Sequence, residues 1–160
     1  MNFARQIPNA LNDEHRALLE LLNRIETNFG ARTGDEAVRI GLVRQLRRQI
    51  EHEMQRHFDF EENELFPRLA DAGDGEIAGL LREEHEAMRA VAVDLLPLCV
   101  AALDGTLDAA GWDALRRDAL EMVERQVSHI QKETMALLPL LDNLLDEDTD
   151  RELAFAYASL

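Results

Sequence analysis

Residues 57–69 read HFDFEENELFPRL, and residues 129–141 read HIQKETMALLPLL. The two stretches lie 72 residues apart and keep one order at identical offsets: His57, Glu61, Leu65, Pro67 and Leu69 in the first, His129, Glu133, Leu137, Pro139 and Leu141 in the second. Residues four apart in an α-helix share a face, so each stretch offers an imidazole and a carboxylate to one side, roughly 6 Å apart along the axis. The leucines continue the same stripe, which makes that side the buried one.

Outward from these two stretches the chain divides into helices. Helix A is predicted over about 9–29, with Pro8 in the tolerated first turn and a break at GARTGD. Asp35 is placed to cap a long helix B that ends near Pro67, followed by a DAGDG loop. Helix C is predicted from Gly75 to Leu103, bent or interrupted at Pro97, and LDGTLDAAG separates it from helix D, which runs to about Leu145 with a disturbance at Pro139. A break and a short terminal helix over about 147–158 complete the chain. Its 160 residues fit one domain spanning 1–160, and the 5% aromatic content is low for a sheet protein. The expected fold is all-α, an antiparallel up-down-up-down four-helix bundle with a short C-terminal helix.

The apolar stripes sharpen this. Helix A gives Leu11, His15, Leu18, Leu22, Ile25 and Phe29; helix B gives Val43, Leu46, Ile50, Met54, His57, Glu61 and Leu65. Helix C gives Leu81, His85, Met88, Ala92, Leu95 and Cys99; helix D gives Leu115, Ala119, Met122, Gln126, His129, Glu133, Leu137 and Leu140. Every helix delivers a histidine to the core. DEHRALLELL around His15 and EEHEAMRAVA around His85 lie 70 residues apart, so the hairpin A–B is echoed by the hairpin C–D.

Buried ionised carboxylates need a partner, and two that face each other also repel. Four histidines could compensate by hydrogen bonding, but a pair of metal ions does so more completely, with neutral imidazoles as nitrogen ligands and carboxylates that each span two cations. His52 lies five residues before His57 between Glu51 and Glu53, on a solvated face, and is left out of the ligand set. Gln126, one turn before His129, is placed to hydrogen-bond a ligand or to sit at the edge of the core. Cys99, Trp112 and Tyr157 are read as packing residues, and Asp59, Glu62 and Glu64 as facing solvent.

A net charge of -15 argues against a nucleic-acid partner and against an anionic membrane surface. The single cysteine cannot form an internal disulfide, no apolar run approaches the roughly 18 residues of a membrane span, and the first residues lack a secretory signal pattern. The expected location is the cytoplasm.

The pattern H…HxxxE…H…HxxxE, filled by His15, His57, Glu61, His85, His129 and Glu133, resembles the hemerythrin-like, or HHE cation-binding, domain family over residues 5 to 145. The EEN-LFP continuation after His57 looks like that family as well. The resemblance implies two iron ions as cofactor, a non-haem di-iron centre with the histidines as terminal ligands and Glu61 and Glu133 bridging beside an oxo or hydroxo group. It also implies a small diatomic or peroxide ligand, O2, NO or a peroxide, in a sensing, stress-protection or iron-handling role. Oxygen-carrying hemerythrins have a fifth histidine four residues from the third-helix ligand, where this chain has Leu81 and Arg89. Reversible oxygen transport is therefore not the expectation. A di-iron enzyme of ferroxidase or peroxidase type, and a structural bundle with a zinc or empty site, remain open alternatives.

Overall fold

The computed structural model describes residues 2–31 and 34–160, so Arg32 and Thr33 of the GARTGD break lie outside the described residues. Five helices carry the described chain: α1 (Gln6–Gly30), α2 (36–71), α3 (Gly75–Leu103), α4 (109–144) and α5 (Glu147–Ala158). The fold is an all-α helical bundle. Helix α1 packs against α2, α4 and α5, and α3 packs against α2 and α4.

The starts of the helices follow from their capping residues. Asp35 accepts a hydrogen bond from Val38 N at 3.1 Å, Asp108 from Gly111 N at 2.7 Å, and Asp146 from Thr149 N at 2.8 Å, each satisfying a donor that the first helical turn leaves free. Helix α1 has no such residue of its own and begins at Gln6, three residues before the expected start. Its first amides donate instead to Asp150 of α5, Gln6 N at 2.7 Å and Ile7 N at 2.9 Å. Helices α2 and α3 are followed by glycines in the left-handed region, Gly73 at φ 94° and Gly105 at φ 72°.

Pro67 does not end its helix as the sequence suggested, whereas Pro139 is accompanied by the expected disturbance, a π-helical segment just before it. Helix α3 continues through Pro97. Helix α2 extends to Asp71 rather than ending at Pro67, and α4 extends to Leu144 beyond Pro139. In both, a π-helical segment precedes the proline: Glu61–Leu65 in α2 and Glu133–Leu137 in α4. The wider winding covers the residues four before each proline, Asn63 and Met135, whose carbonyls proline has no N–H to serve. It also moves the buried stripe of α4 onward, so that Leu138 and Leu141 are buried and Leu140 is only half-buried. A third π segment, Gln49–Met54, lies in α2 before His57.

Two apolar clusters fill the interior. One joins Leu22, Ile25, Phe29, Leu46, Ile50, Leu95 and Met122. The other joins Ile7, Leu11, Phe66, Leu69, Leu81, Leu141 and Tyr157. The predicted donor residues fall between them along every helix: His15 lies between Leu11 and Leu22, and His85 between Leu81 and Leu95.

Candidate metal centre

His15 from α1, His57 and Glu61 from α2, His85 from α3, and His129 and Glu133 from α4 converge in that layer. Glu61, Glu133 and His85 are fully buried, His15 and His129 nearly so, and His57 retains 13% side-chain exposure. Each glutamate opens a π segment, a feature that recurs at functional sites in helices.

The two carboxylates divide their oxygens between two pairs of histidines. Glu61 Oε1 lies 2.9 Å from His57 Nε2, and its Oε2 lies 3.2 Å from His85 Nε2. Glu133 Oε2 lies 2.9 Å from His15 Nε2 and 3.5 Å from His57 Nε2, while its Oε1 lies 2.7 Å from His129 Nε2 and 3.9 Å from His85 Nε2. Two overlapping donor groups result, Glu61, His85, His129 and Glu133 in one and His15, His57 and Glu133 in the other, each with donor atoms within 4.8 Å of one another. Either group could hold a cation.

The Nδ1 side of every imidazole is occupied. His15 Nδ1 lies 3.1 Å from Thr134 Oγ1, His57 Nδ1 3.2 Å from Glu14 Oε2, His85 Nδ1 2.8 Å from Glu62 Oε1, and His129 Nδ1 2.7 Å from Glu84 Oε2. With the Nδ1 proton directed at an acceptor, a neutral ring has its lone pair on Nε2, facing the centre. Four such lone pairs and four carboxylate oxygens surround one small volume.

The polar atoms there are not satisfied by one another. Both oxygens of Glu61, both of Glu133 and His15 Nε2 are buried without a hydrogen-bond partner among the described residues. His85 Nε2 and His129 Nε2 face each other at 3.1 Å, so at most one can carry a proton without setting donor against donor. Orphaned acceptors and opposed lone pairs fit a bound cation better than a closed hydrogen-bond network.

Without a cation, protons do part of the same work. Burial disfavours the charged form of His57, but the Glu61 carboxylate and the contacts with Glu133 and Glu14 hold it protonated well above the ordinary histidine value. Burial likewise opposes the charge on His85, and Glu133 and Glu61 push it up to about 9. His129 is raised against its burial by Glu133. Glu133 itself is held well below the ordinary carboxylate range, because the positive charge of His129 and the approach of His15 and His57 outweigh its burial. Glu14 falls to about 2: His57, Tyr157 and Arg56 overcome its desolvation.

All six predicted donors thus lie together, and His52, left out of the set, is an exposed residue. Gln126 is buried, and its Nε2 donates to Gln49 Oε1 at 3.1 Å. Cys99 is a fully buried packing residue. Two expectations are corrected. Glu62 does not face solvent: it is half-buried, accepts from Arg89 at 2.9 Å and holds His85. It follows Glu61 into the π segment, whose wider winding turns each residue through a smaller angle and leaves Glu62 beside the core. Tyr157 is more than a packing residue, since its hydroxyl donates to Glu14 and lies 3.2 Å from His57 Nδ1. Phe58, which no stripe singled out, stacks on His85 with ring centroids 3.7 Å apart. The one signal for Glu14 and Glu84 was the Glu-His pair that recurs 70 residues apart.

A cavity of about 620 Å³ reaches the centre from the surface. Exposed Arg48, His52 and Glu53 stand at its mouth, and His15, His57, His129 and Glu133 at its inner end, with Gln49 and Gln126 along the wall. Among the described residues, no helix is long and apolar enough to cross a membrane.

No curated protein matches the chain. The model of the hemerythrin HHE cation-binding domain matches residues 6–141, a span that contains all six candidate residues and stops short of α5. The chain belongs to the hemerythrin HHE cation-binding domain family.

Proposed function

We propose that the six residues hold two iron ions, one near His15 and His57, the other near His85 and His129, with Glu61 and Glu133 spanning both. The observation that carries this is the division of each carboxylate, one oxygen toward each histidine pair. Six protein ligands leave exchangeable positions on both cations, and the cavity gives a small ligand such as O2, NO or a peroxide a route to them. Iron supplies redox chemistry at that point. The chain supplies the rest: the Nδ1 acceptors fix the imidazoles, the apolar clusters exclude bulk water, and the buried carboxylates balance the charge. The proposed role is sensing, stress protection or iron handling in the cytoplasm.

Metal quantification of protein from iron-replete cells tests this, together with spectra of the reduced protein before and after O2 and NO. Two irons per chain and spectral changes on ligand addition are expected. Protein without iron, or unchanged metal content in Glu61→Ala and Glu133→Ala, overturns the reading, and bound zinc would be colourless. The second reading is a di-iron oxidoreductase that turns over peroxide or ferrous iron reaching the same residues through the cavity. Repeated turnover, rather than a single stoichiometric change, distinguishes it.

A further inference from the structure

Helix α5 lies beyond the span that the family model matches, yet it reaches the centre. It lies along α1, and its buried side chains are Asp150, Leu153 and Tyr157. Its apolar anchorage is therefore Leu153 and the ring of Tyr157, which meets Phe60 of α2 at 4.6 Å between centroids. A helix of 12 residues owes its stability to packing, and here the packing is sparse, so the polar contacts decide whether α5 stays docked. Both buried polar groups are used. Asp150 accepts from the first amides of α1, and near the other end of α5 the Tyr157 hydroxyl donates to Glu14 Oε2. That same oxygen lies 3.2 Å from His57 Nδ1.

Glu14 is the outer carboxylate most in need of support. The side chains of Glu62 and Glu84, which hold His85 and His129, are 15% and 21% exposed, whereas Glu14 is 35% exposed. His57 is also the most exposed of the four histidines. A cation accompanies each carboxylate: Arg56 at Glu14, Arg89 at Glu62 and Lys132 at Glu84. What Glu14 has in addition is the hydroxyl from α5, and Arg56 itself lies over the Tyr157 ring, 5.1 Å from its centroid. An exposed carboxylate has water as an alternative partner and rotamers to sample; a guanidinium on one oxygen and a buried hydroxyl on the other hold it where His57 needs it.

We infer that α5 is a working part of the metal centre: Tyr157 is a positioning residue that fixes Glu14 and through it His57, so that filling of the centre and docking of α5 support each other. Linkage makes the effect reciprocal, since the factor by which docked α5 tightens the cation is the factor by which the cation tightens α5. Because α5 supplies no donor atom, a loosened helix leaves the cations in place, held less tightly. This rests on the reading of the six residues as a metal site.

Zinc(II), which is redox-silent, is the probe, added to the metal-free full chain in competition with a chelator. Amide exchange over residues 147–158, read by mass spectrometry, should slow by about tenfold on saturation. Tyr157→Phe keeps the ring and removes the hydroxyl. It should weaken zinc binding by about tenfold, the low end for an outer partner of a metal-bound histidine, and leave exchange in α5 responding to zinc by less than about twofold. In a Glu14→Ala chain, Tyr157→Phe should change zinc affinity by less than about twofold, because the hydroxyl acts through that carboxylate. Circular dichroism checks that each variant keeps its helices, and the exchange measurement on the unaltered chain needs no variant. Exchange in α5 indifferent to zinc, a Tyr157→Phe chain with unchanged affinity, or an equal loss with and without Glu14 overturns the coupling while zinc binding still stands. A chain that binds no zinc, or binds it equally well after Glu61→Ala and Glu133→Ala, overturns the metal-site reading instead.

Discussion

Glu133 is the one residue shared by both donor groups, so Glu133→Ala should disable the centre as a whole. A ligand that binds only the folded chain at a free concentration 100 times its dissociation constant stabilises by about 2.7 kcal/mol. For a domain of this size each kcal/mol moves Tm by about 2–4 °C, so a saturating cation should raise Tm by about 5–11 °C. Alanine removes a carboxylate oxygen from the His15–His57 group and another from the His85–His129 group. If that costs 100-fold in affinity, the same free metal sits at its dissociation constant, the stabilisation falls to about 0.4 kcal/mol, and the shift shrinks to about 1–2 °C. Calorimetry of metal-free wild type and variant, with and without anaerobic ferrous iron, reads both numbers. A variant that keeps the full shift, or a wild type that shows none, refutes the reasoning.

Three further outcomes follow from single features. Asp150→Ala removes two charge-assisted bonds to the first amides of α1, one buried and one part-buried, and should lower stability by about 2–3 kcal/mol in urea unfolding, with iron content retained when the protein is folded. Burial pushes the Cys99 thiol up to about 12, so iodoacetamide at pH 8 should leave native protein unlabelled and modify it in denaturant. His85 is raised to about 9 in the metal-free chain, so its stabilising charge is fully present below about 6.5 and is lost as pH rises through 9; metal-free protein should therefore lose Tm across that window.

That the six candidate residues meet was legible in the sequence because they sit on apolar stripes at regular spacing, and a polar residue on such a stripe declares itself. Their outer partners were not. Glu14, Glu84 and Thr134 are sequence neighbours of donors, but each bonds a histidine on another helix, and only packing shows which one. Glu62 was assigned to solvent on ideal α-helical winding, which the π segment does not follow. The prolines were read from the same ideal geometry, so Pro67 looked like an end, although the helix absorbs it and continues to Asp71. The cap of α1 was out of reach for another reason: Asp150 lies 144 residues from Gln6 in the chain.

The polar layer between the two apolar clusters also bears on how the molecule breathes. Each cluster is cohesive by itself, whereas the layer joining them has charged groups in place of dispersion contacts. In the metal-free state it is the plane of least cohesion, the place where amide protons of neighbouring turns should exchange first. Cations bound there would act as rivets between two halves of a girder, so that the stiffness of the bundle reports whether its centre is filled.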